Sequence, residues 1–250
     1  MIAAIAWREL KSMFLSPLAW VLLAVVQLIL AWMFLRNLDQ YMMLQSRLLG
    51  LENPPGVTEV VVAPLLGNAG IVMLLLVPMI TMRLITEERR SGSLALLFSA
   101  PLSMTEIVLG KYLGTLYFLG IVLGLTALMP LSLLAGGSLD AGLLAAGLLG
   151  LALLLACYAA VGLFMSTLTR YPAVAAIATF GALLLSWIMN WTGGADSQAG
   201  STLAYLSLLN HYEPFLKGVF DSADAVFLVL VALVFLVLSV RRLDADRLGG

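Results

Sequence analysis

Long apolar runs alternate with short polar stretches along the whole chain. Six runs stand out, at residues 17–35, 60–82, 112–135, 142–165, 172–191 and 225–240. A bilayer core about 30 Å thick needs roughly 20 mostly apolar residues at about 1.5 Å per residue in a helix, so each run fits one crossing. The last is short, but Val219 and Phe220 lie just before it and allow an earlier start. None of the runs alternates with a period of two, and helices are the only open-chain way to satisfy the backbone in lipid. The pattern therefore predicts an all-α integral membrane protein with six transmembrane helices. Pro172 sits at the opening turn of its run, where a missing N–H costs nothing. Pro64 and Pro78 fall inside or near the ends of the second run and predict a kink there. The first run is too long for a cleavable signal peptide, and no small-residue cleavage site follows Arg36.

Composition sharpens this picture. Of the 250 residues, 62% are hydrophobic and 11% charged, where a soluble domain has about a quarter charged. A soluble globule so composed would expose large apolar patches. The formal net charge is −1, with no block of like charges, so a nucleic-acid partner has no electrostatic footprint. A single cysteine, Cys157, excludes an internal disulfide framework, and a single histidine, His211, removes most metal and dyad chemistry.

Lysine and arginine counts set the orientation. With the N-terminus placed in the cytoplasm, ten basic and six acidic residues fall on the inner side. Three basic and eight acidic residues fall on the outer side. Both termini are thus expected in the cytoplasm. No ionisable side chain lies in the middle third of any run, which speaks against proton relays and ion-coupled carriers. There is no HExxH, GxSxG or metal-spaced acidic cluster. Gly110-Lys111 looks like the end of a phosphate-binding loop, but position 105 is Thr and Tyr112 stands where a magnesium-holding hydroxyl belongs. A non-catalytic chain with no cofactor of its own is expected. Gly120 and Gly124 on the third run, and Gly142, Ala146, Gly150, Ala156 and Ala160 on the fourth, supply small faces for helix packing within the chain or between subunits.

Three segments outside the runs carry further pattern. In residues 1–16, Ile2, Ile5, Ala6, Leu10 and Met13 recur on one side while Arg8 and Lys11 project elsewhere. This predicts an interfacial helix lying flat among the inner headgroups and turning into the first span at Ser16-Pro17. In the inner connection, 84–110, the charges Glu87 to Arg90 fix the end of the second span, and Gly92 breaks that helix. Ser91 or Ser93 caps a short new helix with Leu94, Leu97 and Phe98 on one stripe, where a protein partner could seat it. Pro101 stops it, and Ser103-x-x-Glu106 forms a capping box opening the third span. The outer connection, 192–224, starts polar and becomes amphipathic from Thr202 to Phe220, with Pro214 as a break. Two short helices dipping into the outer leaflet fit it, with His211 as a hydrogen-bonded residue among them.

Four motifs in this order resemble the permease subunit of type-2 ABC exporters, and more narrowly its gliding-motility-associated branch. They are Ala6-Trp7-Arg8-Glu9-Leu10-Lys11 through Ser16-Pro17-Leu18; Thr86-Glu87-Glu88-Arg89-Arg90-Ser91-Gly92-Ser93-Leu94 through Gly110-Lys111; Ser166-Thr167-Leu168-Thr169; and His211-Tyr212 through Phe215-Leu216-Lys217-Gly218-Val219. The resemblance implies an elbow helix over 1–16, marked by Arg8, Glu9 and Lys11. It implies a six-span permease domain over 17–241 and a cytoplasmic tail over 242–250. Within 84–110, Glu87, Glu88, Arg89, Arg90, Gly92, Ser93, Leu94, Leu97 and Phe98 would form a coupling segment seated in a separate ATPase. Where the family often has Gly-Thr-x-Glu, this chain has Gly92-Ser93-Leu94-Ala95, keeping the hydroxyl and lacking the carboxylate. His211, Tyr212, Phe215 and Lys217 would belong to an outer re-entrant pair that gates the exit. The implied partners are an ABC ATPase dimer, which holds the ATP and magnesium, a second permease copy or a related permease, and the lipid of a bacterial inner membrane. The function so implied is export or force transmission; a non-transporting scaffold on the same fold is the alternative.

Overall fold

A computed structural model describes residues 1–48, 56–93, 103–135, 139–189 and 205–248. All of its described elements are helical. In chain order they are α1 (Ile2–Leu15), α2 (Pro17–Leu48), a π-helical turn (Thr58–Val62), α3 (Ala63–Thr81), α4 (Thr86–Ser91), α5 (Met104–Leu131), a 3-10 turn (Ser132–Ala135), α6 (Ala141–Leu168), α7 (Pro172–Met189), α8 (Glu213–Leu216) and α9 (Ser222–Leu248). Six helices are long and apolar enough to cross a membrane, at the six places where the sequence shows its apolar runs.

Local chemistry explains the element ends. Ser103 caps α5 as a capping box: its hydroxyl accepts from the Glu106 amide at 3.2 Å, and Glu106 Oε2 accepts from the Ser103 amide at 3.0 Å. Asp140 caps α6 by accepting from the amides of Gly142 and Leu143. Pro172 opens α7 as its position predicts. Pro64 is the second residue of α3, just after the π-helical turn, and Pro78 lies three residues before α3 ends in a turn at Met82–Ile85. Gly92 ends α4 with φ +73, a left-handed conformation that only glycine adopts without strain.

The core is built on α6 and α3, which are buried along more than half of their apolar windows, with the other spans around them. Outward-facing Trp20, Trp32, Ile177, Leu185, Val229 and Val237 fit lipid as the surrounding medium. Cys157 is buried in α6, its thiol against the Leu228 carbonyl at 2.8 Å, as a small core residue.

One sequence expectation is filled in and another corrected. The first concerns α1. Its predicted inner face is right, with Ala6 fully buried, and it packs along the first turns of α5. Ile5 sits on Gly110, Glu9 on Gly114, and Phe14 on Phe118 with ring centroids 5.4 Å apart, so the two helices run side by side in the same direction. A methyl group on Gly110 would lie 2.6 Å from Ile5, and one on Gly114 2.8 Å from Glu9, so only glycine allows this approach. The second is Gly120 and Gly124 as a packing face within the chain: a Cβ at either would meet nothing within 4 Å among the described residues. The GxxxG that packs is Gly110 and Gly114, nearly three turns earlier on the same helix.

Candidate functional site

At one end of the bundle, charged residues from four helices converge beside the end of a fifth. Lys111, two turns into α5, is almost fully buried. Its ammonium lies 3.2 Å from Glu9 Oε2 of α1 and 2.8 Å from Glu88 Oε1 of α4. The carboxylates are about 15% exposed, so this is a water-edged ionic core rather than a surface pair. Next along α4, Arg89 donates to the Thr167 carbonyl at 2.8 Å and pairs with Asp246 of α9. A cation there also suits the negative end of the α6 dipole. Asp246 is shared further with Arg242, one turn earlier, at 3.5 Å. The six-residue α4 is thereby tied to α1 and α5 through one residue and to α6 and α9 through the next.

This cluster is charged but incompletely satisfied. Glu88 Oε2 and Arg89 Nε are buried without a hydrogen-bond partner among the described residues. Unmade bonds to charged atoms are costly, so α4 holds polar capacity that a further donor or acceptor could use.

The residues singled out in the sequence divide on α4. Glu88 and Arg89 turn inward, while Glu87 and Arg90 are exposed. Ser91 and Ser93 share a hydrogen bond at 2.8 Å beside Gly92, and both hydroxyls reach the Glu88 carbonyl. Leu94, Leu97 and Phe98 lie outside the described residues, as does the polar start of the 192–224 connection. On α1, Glu9 turns in to Lys111, whereas Arg8 and Lys11 face out. Sequence reading missed Lys111 and Asp246 as partners. The signal was there for Lys111: the capping box fixes the start of α5, which puts this lone cation on the same side as Gly110 and Gly114.

The opposite end is built from rings and small residues. Tyr212 and Phe215, flanking and within α8, are buried between α3 and α6. A methyl group on Gly150 would lie 2.5 Å from Phe215 Cβ and 3.1 Å from the Tyr212 ring. One on Gly70 would meet Tyr212 at 3.4 Å. The Tyr212 hydroxyl donates to the Leu66 carbonyl at 3.0 Å, and burial pushes this phenol above its ordinary pKa. His211 is nearly buried, with Nδ1 2.6 Å from Asp224 Oδ1 and Nε2 2.7 Å from the Tyr205 carbonyl. Its ring stacks on Phe227 at 3.8 Å. Both ring nitrogens are thus engaged, as the reading of His211 as a hydrogen-bonded residue expects. Lys217 points out and pairs with Glu213. Gly218, at φ +76, turns the chain out of α8.

No group of three or more His, Cys, Asp or Glu among the described residues is placed to hold a metal ion. Comparison with known families matches residues 3–248 to the model described as ABC-2 family transporter protein. No curated protein matches the chain.

Proposed function

The chain belongs to the ABC-2 family of transporter proteins, multi-pass membrane subunits that work with an ABC ATPase, and from that premise we propose that it is a permease whose α4 segment receives the ATPase and drives the spans. The observation that supports this reading is the double anchorage of α4. Glu88 reaches α1 and α5 through Lys111, and Arg89 reaches α6 and α9 through Thr167 and Asp246. A force applied to the segment that follows Gly92 would therefore be passed to four helices at once. Chains of packed side chains and ion pairs of this kind can carry coupling between sites.

In this reading residues 1–16 are the elbow helix, 84–110 the coupling segment on the cytoplasmic face, and 205–220 the outer gate. ATP and magnesium belong to the partner. The ten-to-three split of basic residues supports cytoplasmic termini in an inner membrane. The order of the four motifs supports the gliding-motility-associated branch, with export or force transmission as the work done. The open face around Gly120 and Gly124, beside exposed Tyr117 and Ile121, suits a second permease copy.

The test is a pull-down of the ATPase with Leu97→Asp. A charge placed in an apolar contact costs several kcal/mol, or roughly a hundredfold or more in affinity. The expected result is normal membrane insertion with lost ATPase co-purification. ATPase retained at wild-type level would remove the coupling role from this segment.

A further inference from the structure

We propose that the crevice between α1, the start of α2 and the end of α3 binds one phospholipid with a zwitterionic, primary-amine headgroup of the phosphoethanolamine type. The crevice is open on one side and has a cavity volume of about 90 Å³, so it seats the headgroup end of a lipid rather than the whole molecule. Its lining divides at the helix ends, since α2 starts at Pro17 and α3 stops at Thr81. Leu18, Ala19, Met79 and Ile80 line it from within those ends, with Phe118 of α5 behind. Beyond them lie its charged and hydroxyl residues, Glu9, Ser12, Ser16, Arg83 and Glu87, with Met13 and Leu84 among them. An apolar half continuous with a charged half fits an amphiphile standing across the membrane boundary. A free anion has no use for the first half, and a hydrocarbon none for the second.

The charges narrow the headgroup. Arg83 is exposed and forms no ion pair among the described residues, which leaves its guanidinium open to a phosphate in bidentate geometry. Glu87 is likewise unpaired there, and Glu9 gives only Oε2 to Lys111. Two carboxylates with free oxygens suit an ammonium, which brings three N–H donors. A purely anionic headgroup would face both carboxylates without compensation, and a trimethylammonium has no N–H to give. This inference rests on the chain being a membrane protein and not on its ATPase partnership.

The test uses the full chain, without ATPase, in nanodiscs made from equal parts phosphatidylethanolamine, phosphatidylglycerol and phosphatidylcholine with the same acyl chains. After extraction, native mass spectrometry counts retained lipids. One phosphatidylethanolamine per chain is expected, preferred about tenfold, which corresponds to about 1.4 kcal/mol. The pair Arg83→Gln with Glu87→Gln is expected to lower retention about tenfold, near the upper range for two partly exposed ion pairs. Ser12→Trp, at an exposed rim position, is expected to lower it by filling the mouth, and it keeps all charges should the double variant fold poorly. Equal retention of the three lipids, preference for phosphatidylglycerol, or wild-type retention in the variants would overturn the proposal. So would equal competition by water-soluble glycerophosphoethanolamine, because the apolar half would then play no part. Loss of ATPase coupling with the lipid still retained would count against the permease reading alone.

Discussion

The two ends of the bundle are held by opposite means. At one end, Glu9, Lys111, Glu88, Arg89 and Asp246 join four helices by charge and a fifth through the Thr167 carbonyl, at the edge of water and with Glu88 Oε2 and Arg89 Nε unpartnered among the described residues. At the other, Tyr212 and Phe215 are wedged onto Gly70 and Gly150 with almost no room to spare. Ion pairs exchange partners when another charge arrives, while interlocked rings move only if a gap opens behind them. The charged end is therefore suited to receive a partner, and the wedged end to keep its shape until the spans themselves move. Each of the two short helices, α4 and α8, is followed by a left-handed glycine, Gly92 and Gly218, which turns the chain out of the packed segment.

The strongest way to break this contrast is Lys111→Met. It leaves the Glu9 and Glu88 carboxylates facing each other without their shared cation. Removing one partner of a buried pair costs about 3–5 kcal/mol, and the slight exposure here favours the lower end. At roughly 2–4 °C per kcal/mol for a chain this size, the melting temperature in detergent is expected to fall on the order of 6–12 °C. Adding Glu9→Gln and Glu88→Gln should recover much of the loss, because the fault is charge rather than shape. An unchanged melting temperature in Lys111→Met would show that the ionic core does not hold this end.

The second test presses on the other end. Gly150→Val places a branched side chain where even a methyl group meets Phe215 at 2.5 Å, and overpacking of this kind costs about 1–3 kcal/mol. In a Cys157→Ser background, a cysteine at buried position 207 should become reactive as the outer segment lifts away. Gly120→Val, on a position with open space around it, should leave both readouts unchanged. Equal behaviour of the two glycines would mean that the wedge carries no weight.

The spans were legible because a bilayer imposes one length and one composition on every crossing. Capping at Ser103, the break at Gly92 and the inward face of α1 were legible because they depend on neighbours within a turn or two. Partnerships across the chain were not. Lys111 meets carboxylates from positions 9 and 88, and Arg89 meets a carboxylate 157 residues away, distances over which sequence spacing carries no geometry. The glycines show the same limit. Gly110 and Gly114 share their spacing with Gly120 and Gly124, and only the approach of α1 makes the first pair matter. The outer site was legible as a cluster of rings, yet not in its division, in which Tyr212 and Phe215 turn inward while Lys217 turns out.

The smallest effect gives the sharpest reading of the outer end. Tyr212→Phe keeps the ring between Gly70 and Gly150 and removes only the hydroxyl that donates to the Leu66 carbonyl. That carbonyl has the Gly70 amide as its partner by α-helical spacing, so it is not orphaned. The phenol is held neutral by burial, so no charge changes with the substitution. A neutral hydrogen bond lost under these conditions costs about 0.5–1 kcal/mol, or on the order of 2 °C in melting temperature. The expected order is then Lys111→Met well below Gly150→Val, with Tyr212→Phe close to wild type. If Tyr212→Phe instead destabilises as much as Gly150→Val, the outer end is pinned by its hydrogen bond rather than by the fit of its rings. The contrast between a charged end and a wedged end would then fail at the wedge.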